Sequence, residues 1–243
     1  MPTIEKAQRT AARVAGASGL LGILLVVFAN YALLDPLIVA NDAAVTARNF
    51  LAHSTQARLG LSGFLAYGAL QVVLLSALYT VFHPVDRTLA LMGAIFRLVF
   101  VMLWSQEALN LLQALKLLGG TPYLAAVPPA LLQALARLNI GAGFDDYYAG
   151  LPFFGLAATV WACLWFKSRY LPRWLAAVGI LASAWCVICA FVFLVFPDFD
   201  TSVNAYWFDT PMTVFELIVS IVLLVRGLPA AARAGAAPKA AGG

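Results

Sequence analysis

The chain has 243 residues, of which 63% are hydrophobic and 11% charged, with a formal net charge of +4 and a mean hydropathy of +0.90. Soluble domains of this size carry roughly 25% charged residues, so the composition excludes one and points to a multi-pass helical membrane protein. The positive balance does not imply nucleic acid, because the basic residues sit at the ends of apolar runs and form no patch interleaved with aromatics. A β-barrel would show short alternating strands, and none is evident.

In chain order, residues 1–12 read as a cytoplasmic N-terminal segment. The run "ARVAGASGLLGILLV" then opens a span over roughly 13–34. No small-residue cleavage site follows a short apolar core, so this span is expected to be retained. Its "GASGLLG" begins a membrane helix and follows no strand, which favours helix packing over phosphate binding. Ala15, Gly19 and Gly22 lie along one face, and Gly60, Gly63 and Gly68 punctuate the second span, so close helix contacts are expected at both. In "NDAAVTARNFLAHS", Asn41 or Asp42 is placed to cap a short outer helix.

The second and third spans cover roughly 58–82 and 88–117. In "PPALLQALARLN", Pro129 suits a first helical turn, and Leu131, Leu132, Leu135 and Leu138 form a stripe. That pattern predicts a separate helix lying on the outer membrane surface. The remaining spans cover roughly 148–167, 172–196 and 209–226. "DFDTSVNAYWFD" reads as a solvated acidic loop, with a weakly bound cation as the alternative. The Ala-, Gly- and Pro-rich stretch 229–243 is expected to be a disordered tail. The predicted fold is all-α: a polytopic six-transmembrane-helix bundle over 13–228 with short outer-surface helices.

Charge orients the bundle. Lys6, Arg9, Arg13, Arg87, Lys167, Arg169, Arg173, Arg226, Arg233 and Lys239 fall on one side, and Arg48, Arg58, Lys116 and Arg137 on the other. Lysine and arginine mark the cytoplasmic face, so both termini are predicted inside a cell (inner) membrane.

Three blocks carry a family resemblance: "HPVDRTLALMGAIFRLV", "GLPFFGLAATVWACLWFKSRYLPRWLAAVGIL" and "PMTVFELIVSIVLLVRG". With the opening run they resemble the domain-of-unknown-function family 4386 of bacterial multi-pass membrane proteins, over most of residues 11–228. The resemblance implies a six-helix membrane fold and brings no assigned chemistry.

The intramembrane charges are the candidate site. In "AIFRLVFVMLWSQEALNLLQAL", Arg97 lies ~13 Å into the third span. An ionised group there costs at least ~2.5–3.5 kcal/mol and must face the bundle interior or water. Glu216 in the last span is predicted at nearly the same depth, ~15 Å from the inner surface, and Gln71 nearly level across the hairpin turn. The three residues form either a structural staple or the lining of a polar cavity. A second polar group, Gln106, Glu107, Asn110 and Gln113, is predicted nearer the outside, as a wetted helix end or an outward-facing pocket. Glu107 lies about 80° off the face of Arg97, so the two are not expected to pair.

Cys163, Cys186 and Cys189 lie in apolar helices and are expected to pack as reduced thiols. His53 and His83 sit in loops, where they cannot ligate a haem inside the bundle. No catalytic or metal motif appears, and no cofactor is predicted. The leading functional expectation is non-enzymatic binding of a small amphipathic ligand, a lipid or a membrane-protein partner. The alternatives are a transporter or proton-coupled carrier using Arg97 and Glu216, and, least supported, an intramembrane enzyme.

Overall fold

The computed structural model describes residues 6–40, 42–120 and 122–228. Helix α1 (Lys6–Val27) continues as a π-helical segment, Phe28–Leu34, and a 3-10 turn, Asp35–Leu37, which holds Pro36. Then follow α2 (Ala43–Ala52), α3 (Ser54–Phe82), α4 (Arg87–Leu118), α5 (Pro129–Ser168), α6 (Arg173–Val195), the single turn α7 (Phe199–Ser202) and α8 (Tyr206–Val225). Six of these helices are long and apolar enough to cross a membrane. Their outward surfaces carry large exposed apolar side chains such as Leu24, Met102, Leu181, Ile188 and Val225, far more than a water-facing surface tolerates.

The six long helices pack in a closed ring, in the order α1, α3, α4, α5, α6, α8 and back to α1. Small residues set the closest approaches. A Cβ at Gly16 of α1 would stand 2.6 Å from the Leu224 amide nitrogen and 2.7 Å from the Ser220 carbonyl oxygen of α8. Gly60 and Gly63 of α3 receive Leu34 and Ala29 of the π-helical segment. Gly19 packs on Ser220 and Gly22 on Gln71 and Tyr67, whereas Gly68 makes only ordinary contacts, with Ser105 and Val101.

Side chains cap and tie the turns. Asp42 accepts from the Val45 amide at 2.9 Å and so starts α2; Asn41 lies outside the described residues. Asp86 starts α4 by accepting from the Leu89 amide at 3.1 Å, and its other oxygen accepts from Lys167 Nζ at 2.8 Å at the end of α5. Pro211 cannot donate to the Trp207 carbonyl one turn back. Trp185 Nε1 of α6 donates to that oxygen instead, at 3.0 Å.

Residues 6–12 are helical and continuous with the span that follows. The structure corrects one boundary. The helix begun at Pro129 does not lie apart on a surface: it runs 40 residues to Ser168 without a break, a length of about 60 Å. Asn139, Gly141 and Gly143 look like turn formers in the sequence, but the adjoining α4 is itself 32 residues long and gives the extra turns a partner. Asn110 of α4 donates to Asp146 of α5 at 2.7 Å across that extension. The predicted tail, 229–243, lies outside the described residues.

Candidate functional site

The buried core divides into two apolar clusters. One surrounds Phe100, Trp104, Phe154 and Phe208; the other surrounds Phe82, Trp161, Trp165 and Phe215, nearer the termini. A polar trio lies at their seam. Arg97 is fully buried. Its Nη1 and Nη2 donate to Glu216 Oε1 and Oε2 at 3.1 and 2.9 Å, and its Nε donates to Gln71 Oε1 at 2.8 Å. The Phe154 ring covers the guanidinium, 4.0 Å from its centroid, where the ring's negative face meets the cation. This fork-on-fork geometry satisfies both charges in low dielectric. The contacts join α4 to α3 and α8, as the depth argument expects.

Glu216 is not sealed off like its partner: 17% of its side chain is exposed, against none for Arg97. It faces a cavity of about 500 Å³. The cavity lies toward the α2 end of the bundle, enclosed by the end of α1, α3, α4, α5 and α8. Its aromatic walls include Tyr67, Trp104, Tyr147 and Tyr148, and four acidic residues line it, Asp35, Glu107, Asp209 and Glu216. Among the described residues that line it, none is basic.

The walls are pre-set by packing. Trp104 Nε1 donates to the Phe64 carbonyl at 3.2 Å. The Trp104 ring meets those of Phe64 and Tyr67 edge-on at 4.9 Å and that of Tyr147 at 5.8 Å. Tyr147 Oη donates to Asp209 Oδ2 at 2.9 Å. The π-helical stretch supplies Asn30 and Tyr31 to the same cavity; such wide turns recur where a helix borders a functional space.

The expected outer polar cluster is kept in part. Gln106 and Gln113 are exposed, Gln106 Nε2 donates to Asn110 Oδ1 at 3.4 Å, and Asn110 is buried against Asp146. Glu107 is not at a wetted helix end. It turns inward to the cavity, and its Oε2 is buried with no hydrogen-bond partner. Gly143 makes room for it: a Cβ there would stand 3.1 Å from Glu107 Cγ.

Tyr67, Trp104 and Tyr147 were not singled out in the sequence, and Asp209, expected at the end of a solvated acidic loop, lies instead in the first turn of α8 and lines the cavity. The signal for Asp209 was available, since it precedes Glu216 by seven residues and so shares its helix face. The cysteines are free, with Cys186 and Cys189 buried and Cys163 exposed. Among the described residues, no group of three His, Cys, Asp or Glu side chains is placed to hold a metal ion.

No curated protein and no solved structure matches the chain. One family model does, described as a domain of unknown function (DUF4386), over residues 14–227. That match runs from within the first long helix to just past the end of the last, and the chain belongs to this family.

Proposed function

We propose that this protein is an inner-membrane binding protein, non-enzymatic, which holds a small amphipathic molecule in the cavity bounded by α1, α3, α4, α5 and α8. In this reading 13–228 is one transmembrane domain with both termini in the cytoplasm, since basic residues cluster at the end of the bundle where the termini lie. The observation that carries the reading is the cavity itself. Its volume of about 500 Å³ falls in the usual range for small-molecule sites, and it pairs predominantly apolar walls with a few fixed polar groups. Native mass spectrometry tests it. The wild-type protein should release a co-purified small amphiphile, and Thr213→Trp, which fills the cavity, should lose it while remaining helical. Identical spectra from the two proteins would overturn the reading.

A proton-coupled carrier is the second reading. Glu216 borders the large cavity on one side and, toward the termini, a void of about 30 Å³ shared with Trp161 and Ser220. That space is enough for one water molecule, which would extend a proton path past the carboxylate. Glu216→Gln in proteoliposomes should then abolish proton flux.

A further inference from the structure

The electrostatics of the cavity are one-sided. Four acidic residues line it, and Arg97, the cation bound to one of them, is already matched by Glu216 through two hydrogen bonds. Asp35, Glu107 and Asp209 remain with no basic side chain among the described lining residues. Glu107 is the sharpest case, because its Oε2 is removed from solvent and has no partner. A buried acceptor in that state costs free energy until something donates to it or balances its charge.

The aromatic walls have matching chemistry. Tyr147 joins the two halves of the site: its hydroxyl holds Asp209, and its ring stands against Trp104. Trp104 in turn lies three residues before Glu107 and so on a neighbouring part of the same helix face. Two acids therefore flank one fixed group of electron-rich rings, the combination that receives alkylammonium groups. A hydrated metal ion fits poorly, because no three of the acids converge on one point among the described residues.

We infer that the ligand is an organic cation: a small amphipathic ammonium, its head held by Glu107 and Asp209 against Tyr67, Trp104 and Tyr147, its apolar part along the cavity wall. This rests on the reading of the cavity as an amphiphile site.

Three probes of equal chain length separate the two claims: octyltrimethylammonium, neutral octyl glucoside and anionic octanoate. Binding is measured by equilibrium dialysis on the full chain in phosphatidylcholine nanodiscs, with empty nanodiscs as the blank. The cation should bind about tenfold tighter than the neutral probe, and octanoate should not bind. Glu107→Gln and Asp209→Asn should each remove most of that preference, and Thr213→Trp should remove binding of both the cation and the neutral probe. Two separate acid variants keep the test decisive if one of them fails to fold. Equal binding of cation and neutral probe, unchanged by either acid variant but lost in Thr213→Trp, would overturn the cation assignment and leave the amphiphile site standing. No saturable binding of any probe, with Thr213→Trp indistinguishable from wild type, would overturn both.

Discussion

Arg97 and Glu216, 119 residues apart, meet through two hydrogen bonds of 3.1 and 2.9 Å between α4 and α8. Pairing of this kind protects each charge more than it stabilises the fold. Removing one partner leaves the other buried and uncompensated, at about 3–5 kcal/mol, whereas an apolar pair of similar volume can be nearly neutral. Arg97→Leu and Glu216→Leu should each lower the melting temperature in detergent, and the double variant should recover much of the loss. If the double variant is as unstable as the two singles added together, the two side chains are not energetically coupled.

Helix α1 approaches α8 too closely for a side chain at residue 16. Gly16→Ala sets a methyl group 2.6 Å from the Leu224 amide nitrogen, so the helices must part, at a cost of about 1–3 kcal/mol. Gly68→Ala meets nothing closer than 3.8 Å and should gain roughly 0.5–1 kcal/mol from helix propensity. Thermal denaturation of the two variants should show shifts of opposite sign.

Asp86 links a helix start to a neighbouring helix end. The Lys167 ammonium, with help from the Leu89 amide, holds its carboxyl below the usual carboxylate range. A lowered folded-state pKa means that the stabilisation is present above the ordinary aspartate value. It is lost as pH falls through that value toward the lower folded one. Lys167 is exposed and Asp86 partly so, so the effect is small and screened by salt. Asp86→Asn should flatten this part of the acid-side fall in melting temperature between about pH 5 and 3. An unchanged profile at low salt would remove Asp86 as a contributor.

The six apolar runs and the depth of Arg97 were legible because both depend on position along a single helix. Hydropathy alone marks where each helix can cross a membrane, and a rise of 1.5 Å per residue places Glu216 opposite Arg97. The continuity of α5 was not legible. The helix over 129–138 is legible from its leucine stripe, but residues 139–147 contain the glycines and acids of a loop, and the matching length of α4 beside them makes a continuous helix favourable there. For a related reason the sequence leaves Glu107 between a wetted helix end and a pocket. Its angle on α4 follows from helix geometry, but what faces that angle is decided by Gly143 on α5 and by the wide π-helical turn after Val27. A cavity belongs to several helices at once, and no single helix encodes it.

The closed ring of helices also has an order in time. Glu216 leaves the ribosome 119 residues after Arg97, a delay on the order of 10 s at ordinary rates of synthesis. For that interval α4 carries its guanidinium without the carboxylate. Gln71 lies 26 residues ahead of Arg97 and is already made, so its amide oxygen is the first partner the arginine meets. The α3–α4 hairpin is thus provisioned to wait, and the arrival of α8 delivers the counter-charge, closes the ring against Gly16 and walls the cavity in a single step.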